Sequence, residues 1–469
     1  MSFVEIIFLP FLAASFFLFS LFRDRPFGQF IVLLLASFVF YAWWNSACFG
    51  LLLGSILFNF MIGRLLGAAA DRRRKILLLT GLIGDLALLG YFKYANFFIA
   101  NINQLWSSLG MRPALAALNV VLPIGISFYT FQLMSYLLDV YAGRIAPARS
   151  LLKFSVLASF FGHLIAGPIF RFKDMLPQME GNLFSRSNDA GLFYIAYGIS
   201  KKLLLADPLG YRFADPVFAS PGAYGSLDLL LGVYAYAFQI FFDFSAYSDI
   251  AIGLGKIFGL DFPVNFRSPY LAANPREFWQ RWHITLSSWL RDYLYIPLGG
   301  NRVSEPRILR NILIVMLLGG AWHGAKWTFI VWGGLHGLYL IVHRFVVLRS
   351  RLKDWSVPSG WRVFGFFQLV CLAWIFFRSQ SLGAAGEYLL GLFSARAGSQ
   401  SLNAPSILVM LAAAFFVHTF LEPRLPRLAE RFQRFPWAVQ GGSVYLLLVV
   451  LALLTEQAVA RQAFIYFQF

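Results

Sequence analysis

The stretch QFIVLLLASFVFYAWWNSACFGLLLGSILFNFMIGRLLGA, residues 29–68, carries one charged side chain, Arg64. About 20 consecutive apolar residues are enough for a helix to cross the hydrocarbon core of a bilayer. The stretch therefore reads as two crossings, 29–45 and 48–68. The rest of the chain repeats the pattern, with candidate spans near 3–22, 76–92, 119–141, 152–170, 190–206, 307–323, 327–347, 361–377, 404–422 and 438–456. The run 226–259 is too long for one crossing and reads as two helices or a bent one. Composition agrees: 59% of the residues are hydrophobic and 13% charged, against roughly 45–50% and about 25% in soluble domains. A soluble enzyme, a disordered chain and a disulfide-stapled secreted domain are all excluded. The expected fold is an all-α polytopic membrane protein, a single domain over 1–469, with about 11–13 membrane helices or re-entrant segments.

Lys and Arg number 39 against 22 Asp and Glu. Nucleic-acid binding is one reading of that surplus, and the positive-inside rule is the simpler one, so no nucleic-acid partner is expected. Arg23/Arg25, Arg72–Lys75, Arg144/Arg149/Lys153 and Lys201/Lys202 each follow an odd number of crossings. So do Arg267–Arg310, Arg344–Lys353 and Arg424–Arg434. All would be cytoplasmic with the N-terminus outside, while Arg171, Lys173 and Arg186 fall on the other side. No basic region precedes the first apolar run, which reads as a retained span. Cys48 and Cys371 have no metal-binding or disulfide-framework spacing, and no metal is expected.

Chemistry must then come from residues at membrane depth or at its faces. The segment NPREFWQRWHITLSSWLRDYLYIPLGGNR, residues 274–302, opens with Asn274 as N-cap, Pro275 at the first helical position and Glu277 three after the cap. Pro297, Gly299 and Gly300 close it. At helical period, Arg276, Gln280, His283, Ser287 and Arg291 form one polar stripe, and Phe278, Trp282, Leu286, Trp289 and Tyr293 an apolar one. Such a helix is either an interfacial anchor or the wall of a wet funnel for a phosphate-bearing anion. Arginine forks suit the second use. His283, central in the stripe, would be a proton carrier or hydrogen-bond donor.

The segment RILRNILIVMLLGGAWHG, residues 307–324, ends an apolar span on His323. Gly319, Gly320 and Gly324 leave the helix face beside the imidazole bare. Two readings stand: GxxxG packing between helices, or room for a substrate next to a neutral histidine that can act as a base. His336, in WGGLHG, is a weaker candidate for substrate binding. His343 reads as interfacial, His163 as structural and His418 as packed. Asp243 and Asp249 interrupt an apolar run and need partners, for which the arginines or histidines above are candidates. Asp139 reads as half of a structural ion pair.

The runs FWQRWHITLSSWLRDYLYIPLGGNR (278–302) and LLGGAWHGAKWTFIVWGGLHG (317–337) carry a resemblance, as do YAWW (41–44), GYFKYANFF (90–98), LPIGISFYTFQLMSYLLDVY (122–141), GHLIAGPIFRF (162–172), FFDFSAYSDIAIGLG (241–255) and the terminal FIYFQF. Together they resemble the membrane-bound O-acyltransferase family, and most nearly its bacterial alginate O-acetyltransferase branch. The resemblance implies helices in a ring around a funnel and channel, with His323 catalytic and His283 the second histidine. It implies acetyl-CoA as donor with no bound cofactor, and a bacterial inner-membrane location. It also implies a periplasmic or membrane-anchored acyltransferase partner and a polysaccharide acceptor, an alginate-like exopolysaccharide, peptidoglycan or cellulose. The competing class is a non-enzymatic transporter or flippase, in which the same polar residues would bind and release a solute.

Overall fold

The computed structural model describes residues 3–5, 7–165, 167–349 and 358–455. The FIYFQF terminus and the end of the basic run at Lys353 lie outside the described residues. Every extended element among the described residues is a helix, as the apolar runs require, and the chain is an all-α multi-pass membrane protein. Seven helices there are long and apolar enough to cross a membrane, and three shorter apolar helices accompany them. The remaining expected spans are shorter, interrupted or more charged than a simple apolar crossing. The stretch 152–170 splits at Phe160, 190–206 ends in a π turn, and 307–323 follows on from Glu305, so that its first two turns carry Glu305, Arg307 and Arg310.

The chain divides into two compact units, Met1–Gly191 with Ala251–Pro263, and Leu192–Ile250 with Val264–Phe469. In the first, the helices are Phe8–Leu21, Pro26–Trp44, Ser46–Ala68, Asp71–Leu89, Ala95–Ser108, Ile126–Tyr141 and Leu151–Ser159. The span expected to stop at 92 does not stop. A π turn, Gly90–Tyr94, carries it into the next helix, because in an apolar medium a widened turn satisfies backbone groups that a break would strand. The span expected from 119 begins only at Ile126. Gly125 before it has φ +73°, and a Cβ there would meet the Leu164 carbonyl oxygen at 2.1 Å. The preceding stretch, residues 112–123, has no regular secondary structure. The Asn103 amide pairs with Leu115 (2.8 and 3.2 Å) and the Asn96 amide with Leu118 (3.0 and 2.8 Å), each replacing a strand partner. Asp139 is paired with Arg144 at 2.9 Å.

The second unit holds the residues up to Ile250 of a single 32-residue helix, Ser226–Ile257, where two helices or a bent one were expected. It also holds Pro275–Arg281, Ile284–Leu290, Glu305–His323, Trp327–Arg349, Ser359–Arg378, Leu382–Phe393, Ala404–Phe416 and Trp437–Thr455. Glu305–His323 and Trp327–Arg349 form an antiparallel hairpin, tied at its open end by both Glu305 oxygens on Arg344 (2.5 and 2.9 Å). Near the turn the two backbones nearly touch. A Cβ on Gly320 would lie 2.3 Å from the Phe329 carbonyl oxygen, and one on Gly333 2.3 Å from that of Met316. For Gly320 the packing reading therefore holds. Gly324 likewise packs on the Phe329 ring.

Asp243 and Asp249 find lysines rather than arginines or histidines. Lys202 joins Asp207 (2.7 Å) and Asp243 (2.6 Å), while Lys201 joins Asp249 (2.5 Å) and Glu422 (2.8 Å). Both lysines are buried, at 2% and 1% exposure, so they do not mark a solvated cytoplasmic loop as expected. A buried cation requires such partners, and stripping one side leaves charges without compensation.

Two outcomes follow for thermal unfolding in detergent. Gly333→Ala is expected to lower stability by about 1–3 kcal/mol, because the hairpin has no room for a methyl group; an unchanged midpoint would contradict the close approach. Lys202→Met is expected to cost about 3–5 kcal/mol, much of it recovered when Asp207 and Asp243 are also made Asn.

Candidate functional site

The segment 274–302 starts as its sequence predicts. Asn274 accepts from the Glu277 amide (2.9 Å), the Glu277 carboxylate accepts from the Ala273 amide (2.9 Å), and Pro275 opens the helix. It does not continue as one helix. The first piece ends at Arg281, Trp282 is extended, and His283 sits in the left-handed region at φ 42°, ψ 53°. A second piece, Ile284–Leu290, runs into a π turn at Arg291–Tyr295. The break is supplied with partners by the extended chain around Asn265. The Arg267 amide donates to the Arg281 carbonyl (2.9 Å) and the Ile284 amide to the Asn265 carbonyl (2.9 Å).

The break corrects the polar stripe. Arg276, Gln280, Ser287 and Arg291 do share a wall, lining a cavity of about 670 Å³ with Trp279, Ser288, Leu290, Tyr295, Asn301, Met316, His343 and Arg344. His283 does not line it. A left-handed residue between two helices turns its side chain off the common face, and the imidazole is fully buried. Its ring meets Phe244 edge-on (4.7 Å), Phe266 (6.3 Å) and Trp322 (5.9 Å), and its Nδ1 lies 3.1 Å from Asn265 Oδ1. This segment lies outside the seven spans. Burial pushes the imidazole down to about 3, so it is neutral at physiological pH.

The cavity is less cationic than its arginines suggest. Arg291 is held by Asp292 (2.6 and 3.2 Å) and Arg344 by Glu305. Arg276 has no ion-pair partner among the described residues, so its guanidinium is the one open to an anion. The contributions of Arg344, Tyr295 and Asn301 were not legible from helical spacing, which says nothing about a neighbouring helix. The signal for the salt bridge is Glu305 and Arg344 at matching ends of two successive apolar runs.

His323 ends its helix, 4% exposed, with its ring against Trp322 (5.1 Å), Trp332 (4.9 Å) and Phe377 (5.2 Å). It is not among the cavity's lining residues; Met316 is, and His323 lies seven residues further, about 10 Å along the helix axis. Of the three glycines only Gly319 leaves open space, and Leu290 fills its edge, 3.3 Å from where a Cβ would stand. The roomy face expected beside the imidazole is thus reduced to that one position. His336 is also absent from the lining. It stacks on Phe278 (5.5 Å) and touches Trp279 (5.1 Å) and Trp332 (4.8 Å). Neither of its ring nitrogens has a hydrogen-bond partner among the described residues. His163 is structural, 2.8 Å from the Leu157 carbonyl and 3.4 Å from Gln132, and His418 accepts from the Tyr270 amide at 3.2 Å.

An all-helical membrane protein with a buried pair of histidines beside an arginine-bearing cavity is the class that fold and site define. The family model of membrane-bound O-acyltransferases matches residues 144–382, which include His283, His323 and His336. The probable alginate O-acetylase AlgI of Pseudomonas putida is 39% identical over 462 residues, covering 94% of each chain. That of Pseudomonas syringae is 43% identical over 367 residues, 78% of this chain and 70% of the other. The peptidoglycan O-acetyltransferase of Helicobacter pylori is 38% identical over 416 residues, 82% and 77% of the two chains. The chain belongs to the membrane-bound O-acyltransferase family, and it is an acyltransferase.

The burial of His283 has a measurable consequence. Its folded pKa lies below the unfolded value of about 6.5, so between the two the unfolded chain takes up a proton that the folded chain refuses. Stability is retained above about pH 6.5 and lost as pH falls. Taking pH from about 7 to about 5 is expected to cost the wild type about 2 kcal/mol more than His283→Gln, read from thermal midpoints in detergent. Equal losses would show that the ring takes up its proton while folded.

Proposed function

We propose that the chain takes acetyl from cytosolic acetyl-CoA and passes it across the bacterial inner membrane for O-acetylation of an exported polysaccharide. An alginate-like exopolysaccharide is favoured, on the names of the Pseudomonas relatives. Peptidoglycan is the second acceptor, on that of the Helicobacter relative. A periplasmic or membrane-anchored acyltransferase completes delivery. The observation that carries the reading is the cavity. It is large enough for part of a nucleotide thioester, offers Arg276 to phosphate, and is lined by Trp279, which touches His336, and by Met316, which lies on the helix that ends in His323.

In the proposed reaction the His323 imidazole takes the proton of an acceptor hydroxyl as its oxygen attacks the thioester carbonyl. The carbon–sulfur bond breaks, acetyl stays on the oxygen, and the imidazolium returns the proton to the departing CoA thiolate. His283 assists by hydrogen bonding. A thioester is already activated, so a base and a dry, shaped passage suffice. Leu290, which lines the cavity and covers Gly319, is the side chain that must swing aside for the thioester to approach His323. His336 lies behind Trp279 and supports that wall rather than touching substrate.

The test uses purified full-length protein in proteoliposomes with acetyl-CoA, reading free thiol and label on alginate or peptidoglycan fragments. His323→Ala, confirmed folded, is expected to lose at least about 100-fold in thiol release. Arg276→Gln is expected to raise KM for acetyl-CoA roughly tenfold, and Arg291→Gln less, because Asp292 already occupies it. Acetyl transfer at wild-type rate by His323→Ala would remove this mechanism. Solute movement without any thiol release would favour the transporter.

A further inference from the structure

We propose that Asn265 is the positioning residue that holds His283 as its Nδ1–H tautomer and leaves Nε2 as the basic atom. The proposal rests on the reading that His283 assists acyl transfer. The argument begins with the direction of the Asn265 amide. Its Oδ1 receives the Thr285 backbone amide (3.3 Å) and the Thr285 hydroxyl (2.9 Å), while its Nδ2 donates to Ser248 Oγ (3.2 Å). A backbone N–H can only donate, so the atom facing it is the oxygen; turning the amide over would set an NH₂ against an N–H. His283 Nδ1 lies 3.1 Å from that same oxygen. An oxygen that only accepts requires a donor there, so Nδ1 carries the hydrogen.

The other nitrogen is then a bare lone pair. Nε2 is buried and has no hydrogen-bond partner among the described residues. A buried acceptor left in that state costs stability, and such atoms call for a functional reason. The rings packed on the imidazole, Phe244, Phe266 and Trp322, carry no charge, so nothing in those contacts converts it to imidazolium.

Asn265 also holds the backbone that places the ring. Its carbonyl takes the Ile284 amide at 2.9 Å, immediately after the left-handed residue at φ 42°. A left-handed non-glycine residue persists only where its surroundings impose it. One residue thus fixes both where the imidazole sits and which nitrogen keeps its lone pair.

The test is ring-nitrogen NMR on full-length protein labelled with ¹⁵N-histidine in detergent, with His283 assigned by subtraction of the His283→Gln spectrum. The expected result is a protonated Nδ1 and an unprotonated Nε2; the reverse tautomer in the wild type overturns the proposal without any variant having to fold. Asn265→Asp keeps the acceptor and adds a negative charge. It is expected to keep Nδ1–H and move the acid limb of the pH–rate profile for thiol release up by about one unit or more. Asn265→Leu is expected to mix the tautomers and lower kcat about tenfold or more with KM for acetyl-CoA unchanged. An Asn265→Leu protein with an unchanged tautomer and kcat overturns the assignment. Full activity in His283→Gln instead defeats the role given to His283, and with it the functional weight of Asn265, while the tautomer measurement stands on its own.

Discussion

A buried backbone N–H or C=O has no water to fall back on, and the breaks described in this chain come with other partners for those groups. In places a helix widens into a π turn and goes on, as at Gly90–Tyr94, Arg291–Tyr295 and Val417–Leu421. Where it stops, something else supplies the missing bonds. Asn96 and Asn103 do so for the irregular apolar stretch around Leu115 and Leu118. Asn265 and Arg267 do so for the break at Trp282–His283. That break is the one with chemical consequences, because it takes a histidine out of a polar wall and buries it.

The same constraint acts on charge. Lys201 and Lys202 are adjacent in sequence, and each has two carboxylates. Arg291 and Arg344, at the cavity, carry one each. A cation already balanced by its own carboxylate contributes little field to a ligand. The net attraction of the cavity for an anion therefore falls on Arg276 rather than being shared with Arg291, the other arginine of the sequence stripe.

Most of the membrane architecture was legible, because apolar run length is a one-dimensional property. The Pro26–Trp44 and Ser46–Ala68 helices lie almost where residues 29–68 put them. The N-cap at Asn274 was legible for the same reason, being local. The break at His283 was not. Its cause is a residue 18 positions upstream, and the helical period of 274–295 is satisfied until the chain around Asn265 competes for it. Nor was the pairing of Asp243 with Lys202, since those lysines read as loop residues. The glycines near His323 were legible as important but ambiguous in use; only the neighbouring helix, with Gly333 against Gly320, decides for packing.

The cavity and His323 are separated by protein, and the separation has a chemical logic. From the cavity wall inward the contacts run Trp279 to His336 and Trp332, then Trp332 to His323, with centroids 4.8–5.9 Å apart. That is an aromatic partition with no room for bulk water. A thioester beside a base in open water is exposed to hydrolysis, and a dry partition that yields only to the substrate arm would spare it. Not every side chain in this wall is aromatic. Leu290 rests on Gly319, and the second helical piece that carries Leu290 begins at the residue after His283. The break that buries one histidine thus also starts the element that brings Leu290 to Gly319, on the helix that ends in the other.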